Sequence, residues 1–200
     1  MSAELLRLTA EHVVLVVVAM TIAILLAVPG GVLLTRREGW RTPLLAFAGV
    51  MQTIPSLALF GFLIPVPLIG GIGRRTAIVA LVLYALLPIL RNTLAGILGV
   101  DRAVRESAVA MGMTDRQVLL EVEIPLAART ILAGIRVAAV TTIGTATIAA
   151  AIGGGGLGVL IFRGIATVDS GLILAGAIPS AALALVADGA LGLVERRFAK

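Results

Sequence analysis

The chain has 200 residues, 60% of them hydrophobic and 14% charged, and its mean hydropathy of +1.12 excludes a water-soluble globular domain. It has no cysteine and one histidine, His12, so disulfides and thiolate metal sites are excluded and no metal or cofactor site can be argued. The net charge of +5 comes from fifteen arginines and Lys200, spread between the apolar runs, a pattern that suits membrane orientation and not nucleic-acid binding.

Apolar stretches of about 20 residues can cross a hydrocarbon core of about 30 Å as helices, at about 1.5 Å rise per residue. Five such spans are read, at residues 13–34, 44–69, 76–98, 130–152 and 171–194. The first does not resemble a cleavable leader. Its apolar character runs past Pro29-Gly30-Gly31 to Leu34, no A-x-A-like site follows, and Arg36-Arg37 closes it as a membrane boundary does. The second holds Gln52, Pro55, Ser56, Gly61, Pro65 and Pro67, so its helix is expected to be kinked or broken and to face the bundle interior. Residues 157–168 are too short to span and are expected to lie at the interface or to re-enter the membrane. The expectation is an all-α, polytopic bundle forming one transmembrane domain over 1–200.

Five spans place Arg36, Arg37, Arg41, Arg91, Arg102, Arg105, Arg116, Arg129, Arg196, Arg197 and Lys200 on one side and Arg7, Arg74, Arg75 and Arg163 on the other. Basic residues concentrate on the cytoplasmic side. The N-terminus is thus expected outside, with the 99–129 loop and the C-terminus in the cytoplasm.

That loop is the one extended amphipathic stretch. Asp101 is placed to cap a helix carrying Arg102, Arg105 and Glu106, and Gly112 to end it in a left-handed conformation. Thr114-Asp115-Arg116-Gln117 has capping-box spacing for a second helix, whose Val118, Leu119 and Val122 share a face until Pro125 stops it. Two short helices with an apolar ridge make a knob suited to a groove on a cytoplasmic partner.

Here the sequence resembles a family. Glu106-Ser107-Ala108, then Gly112, then Val122-Glu123-Ile124-Pro125 match the EAA signature of permease subunits of type I ABC importers. Serine stands for the first alanine, and valine and isoleucine for the usual isoleucine and leucine. The resemblance implies that this loop, through Glu106, Ala108, Gly112, Val118, Leu119, Val122 and Pro125, couples to a separate ABC ATPase subunit, and that an extracytoplasmic solute-binding protein delivers the solute. Residues 52–59, 87–93 and 146–158 are similar to the osmoprotectant branch, which imports glycine betaine, carnitine or choline, over about residues 45–195. Five spans make a thin wall for a path, so a second permease, the same or a paralogue, is also implied.

Gly153-Gly154-Gly155-Gly156-Leu157-Gly158 satisfies G-x-G-x-x-G, but no strand precedes it, and close packing or a tight external turn suits it better than nucleotide binding. A Walker A loop needs a lysine that the chain lacks before its last residue, so ATP hydrolysis is expected on another subunit and this chain is not expected to be an enzyme. With one tryptophan, Trp40, and one tyrosine, Tyr84, it cannot build an aromatic cage, so capture of a quaternary ammonium ion falls to the binding protein. Trp40 suits an interfacial anchor. Tyr84 either lines the path or packs in the core, and Gln52 and Ser56, four apart on one helix face, either offer hydrogen bonds to a passing solute or tie helices together.

Arg136 and Asp188 lie inside the fourth and fifth spans at similar depth, where they either pair or snorkel. They are the only charges that an ion-driven secondary transporter could use, and both lie toward the cytoplasmic end. An importer of another small solute, such as an amino acid, and an assembly protein using the loop only for docking are the other readings.

Overall fold

The computed structural model describes residues 2–198; Lys200, counted above among the cytoplasmic charges, lies outside them. Nine α-helices are described, with no strand among these residues. The first, α1, covers Ser2–Arg36 and starts well before the expected residue 13. Leu8, His12 and Leu15 are buried, so the polar first turns are held by tertiary contacts that hydropathy does not register. Pro29 lies inside α1, and the two glycines after it bring α1 onto the fourth helix: a Cβ on Gly31 would sit 2.6 Å from that of Thr93.

The expected second span is two helices, α2 (Glu38–Thr53) and α3 (Ser56–Leu63), bent by 106° at their break. Pro55 pushes the residue before it out of the helical region, and Ile54 takes φ −67°, ψ 128°. Gln52 and Ser56 therefore do not share one helix face: the first ends α2 and the second opens α3. A Pro- and Gly-rich turn leads into α4 (Arg74–Leu98), which forms the centre of the bundle with Ala77, Ala80, Leu81, Ala85 and Ile89 wholly buried.

Two short helices, α5 (Arg102–Ala110) and α6 (Asp115–Gln117), lead through a π-helical stretch at Val118–Glu123 into α7 (Ile124–Ala146). The fourth span therefore starts earlier than residue 130 and ends at Ala146, followed by a 3-10 turn at Ile148–Ile152. Gly153, Gly155 and Gly156, all at positive φ, turn the chain into α8 (Gly158–Thr167). Asp169 then caps α9 (Ser170–Arg197), accepting from the amides of Gly171 and Leu172 at 2.8 and 3.2 Å. α8 folds back along α9, where a Cβ on Gly176 would meet the Leu157 carbonyl at 2.7 Å.

α1, α4 and α9 are each long and apolar enough to cross a membrane, and α2 with α3 makes a fourth if read as one broken span. α7 is not in that set; it carries Arg129 and Arg136 and packs between α4 and α9. Among the described helices, length and composition thus give three or four spans where the apolar runs of the sequence read five.

Candidate functional site

The segment from Asp101 to Pro125 is built from local signals. Asp101 accepts from the Ala103 amide at 2.8 Å and opens α5. Gly112, at φ +86°, closes it, and the amides of Gly112 and Met113 donate back to Val109 and Ala108 at 2.9 and 3.2 Å. Thr114 accepts from the Gln117 amide while its own amide donates to the Gln117 side chain at 2.9 Å, completing a capping box.

Pro125 does not stop the second helix. The wide π turn before it shifts the carbonyls its ring would strike, so α6 continues into α7 with Pro125 as that helix's second residue. The ridge of Val118, Leu119 and Val122 also points elsewhere than expected. Val118 is buried, Val122 is half-buried, and Leu119 packs against Ile97, Ala127 and Ile131 of the bundle. Ala108 is buried as well. The large apolar side chains this segment exposes are Val104, Val109, Met111 and Leu120, at 42%, 57%, 75% and 49%. Glu106 is exposed and holds Arg102 at 2.6 Å.

The residue that anchors the segment is Glu123, whose carboxylate is 3% exposed. One oxygen takes Arg36 Nη2 of α1 at 3.0 Å, and the other meets Arg105 Nε of α5 at 3.1 Å. Arg105 also donates to the Ile97 carbonyl at the end of α4. The carboxylate thus ties α1 and α5 to the root of the segment, and Arg105 extends the tie to α4. Sequence reasoning gave Glu123 no role, since its partners are distant along the chain and the only signal was an acidic residue within an apolar stretch.

The opposite end of the bundle carries its own ties. Glu4 accepts from Arg163 at 3.0 Å, and Glu11 meets Arg74 at 3.1 Å and the Gly156 amide at 3.4 Å. Buried His12 lies 3.1 Å from the Ile143 carbonyl, and a Cβ on Gly156 would press on its ring, so the glycine run is a close-packed turn.

Between the ends, Arg136 of α7 donates to both oxygens of Asp188 of α9, Nε to Oδ1 at 2.6 Å and Nη2 to Oδ2 at 2.8 Å. Its third nitrogen reaches Glu195 at 3.3 Å, and Arg129 approaches the same carboxylate at 3.7 Å. The expected path residues are brought together differently: Gln52 donates to the Tyr84 carbonyl at 3.0 Å and the Tyr84 hydroxyl donates to the Ile54 carbonyl, lashing the α2–α3 break to α4. Ser56 is half-buried and takes no part in this tie.

This arrangement is the transmembrane fold of an ABC importer. The chain superposes on the inward-facing MetNI methionine ABC transporter with a TM-score of 0.87 at 24% identity, over 99% of this chain and 97% of that one. An amino acid ABC transporter solved with histidines gives 0.78 at 19% identity. Residues 19–200 match the family described as binding-protein-dependent transport system inner membrane component, and the chain belongs to it. Curated relatives include the choline transport system permease protein OpuBB of Bacillus subtilis, 44% identical over 97% of this chain and 88% of its own length. The carnitine transport permease protein OpuCB of Listeria monocytogenes is 47% identical over the same shares. The osmoprotectant import permease protein OsmW of Salmonella typhimurium is 46% identical over 90% of this chain and 85% of its own length. The chain is therefore a membrane permease of binding-protein-dependent import.

Proposed function

We propose that this permease forms the path for quaternary ammonium osmoprotectants, such as glycine betaine, carnitine or choline. It works with a separate ATPase that meets the 99–129 segment, an extracytoplasmic binding protein at the opposite end, and a second permease. The observation that carries the coupling role is the capped α5–Gly112–α6 elbow, which exposes Val109, Met111 and Leu120 while Glu123 fastens its root to α1 and α5. A push on so anchored an elbow moves helices rather than a slack loop. The substrate class rests on the names and identities of the relatives. The concentration of arginines at the elbow end supports a cytoplasmic position for that end and an outside N-terminus.

ATP hydrolysis belongs to the partner, and this chain supplies no catalytic group. The solute is tested by uptake into vesicles holding the assembled importer, with labelled betaine, carnitine and choline competed against amino acids. Uptake blocked by amino acids and not by quaternary ammonium compounds would favour the amino acid reading.

A further inference from the structure

Arg136 of α7 and Asp188 of α9 form an ion pair inside the described spans, where Arg91 of α4 also lies, next to the Asn92 that abuts Gly134. The other ion pairs lie toward the two ends of the bundle, whereas Arg136 sits about 10 Å further along α7 than Arg129. The pair is not sealed in the core: the Arg136 and Asp188 side chains are 36% and 41% exposed. They line an open cleft of about 400 Å³ between α7 and α9, beside Val137 and Thr141. That volume is within the range of small-molecule sites, about 300 to 1,000 Å³. Charges at this depth turn away from lipid, toward water or protein.

The cluster also has unusual chemistry for a quaternary ammonium carrier. Cation–π contact is not available there, because no aromatic side chain lines the cleft. What the cleft offers is two carboxylates, Asp188 and Glu195, converging on one guanidinium. A guanidinium fork accepts a carboxylate in two parallel bonds, and a solute's carboxylate competes for the same face.

We propose that Arg136, Asp188 and Glu195 form a way station on the translocation path for a quaternary ammonium zwitterion, an inference that rests on the osmoprotectant reading above. The solute's carboxylate takes the Arg136 fork, and the released Asp188, with Glu195, faces its ammonium group. No net charge is added to the membrane interior, because the zwitterion is itself neutral, and its two charges replace the partners that Arg136 and Asp188 give up. A solute with a cation and no carboxylate uses the acidic half alone.

The test is initial uptake of glycine betaine and of choline by the complete importer in vesicles, with binding-protein-stimulated ATP hydrolysis measured in parallel. Arg136→Gln is expected to lower betaine uptake roughly tenfold, the effect of one lost charge-assisted contact, while choline uptake changes less than about threefold. Asp188→Asn is expected to lower both. Arg136→Lys keeps the charge and loses the fork, and is expected to raise the apparent KM for betaine alone with ATP hydrolysis intact. Equal losses for both solutes in Arg136→Gln and Arg136→Lys would overturn the proposal, as would full rates for both in the exchanged Arg136→Asp, Asp188→Arg protein, which would mark a structural pair. If the unaltered importer carries neither solute, the osmoprotectant reading fails first and this inference with it.

Discussion

Glu123 and Arg36 meet at 3.0 Å although 87 residues separate them, and the same carboxylate holds Arg105 on its other oxygen. This contact makes the elbow and α1 one mechanical unit. Glu123→Ala strands two arginines that remain partly exposed, so the cost is set at about 1.5 to 3 kcal/mol rather than at the higher value of a sealed pair. The expected result is a lower unfolding midpoint in detergent and faster proteolysis between Arg102 and Gln117. Protection equal to that of the unaltered protein would show that the carboxylate does not fasten the elbow.

Gly112 is held at φ +86° with nothing within 4 Å of where a Cβ would stand, so a substitution there is opposed by backbone strain and not by space. Gly112→Val is expected to cost about 1 to 2 kcal/mol locally and to cut transport sharply while insertion is normal. Gly112→Asn, which tolerates the left-handed region better, is expected to keep most transport. Equal activity of the two variants would contradict this.

These two residues show what could be read from sequence and what could not. The Asp101 cap, the Gly112 turn and the Thr114 capping box are set by residues within a few positions of one another, so spacing alone located them. The π stretch was invisible because the proline rule treats a helix as regular, and here a wider turn removes the clash at Pro125. The direction of the Val118 and Leu119 ridge depends on α4 and α7 packing behind it, a tertiary fact. Hydropathy located α9 to within a few residues but missed the first turns of α1, whose burial is decided by α8 and the glycine turn.

Gly134 lets α7 close on α4: a Cβ there would stand 2.4 Å from that of Asn92 and 2.8 Å from the Pro88 carbonyl. Backbone cannot yield as a flexible side chain does. Gly134→Val is expected to lower the amount of folded protein recovered from membranes several-fold, whereas Gly144→Ala and Gly189→Ala, with open space at the Cβ, are expected to be neutral. Size-exclusion recovery of the three variants makes the comparison, and equal recovery would refute the close approach of these helices.

The orientation predicts that a reporter fused after Lys200 reads cytoplasmic and that a tag before Met1 is reached by an impermeant reagent from outside. The same reagent should label a cysteine placed at Arg163 and spare one placed at Met111, which lie at opposite ends of the bundle. Reversed labelling would overturn the assignment of the elbow to the cytoplasmic side.

This chain is expected to pass solute only when a separate ATPase drives the elbow and a loaded binding protein stands at the other end. The most direct measurement is uptake of labelled glycine betaine into vesicles containing the permease with its ATPase, with ATP enclosed with the ATPase and binding protein supplied on the opposite side. The expected result is accumulation that needs both ATP and binding protein and that disappears in Gly112→Val. Accumulation driven by an ion gradient alone, by vesicles that hold this chain and no ATPase, would contradict it.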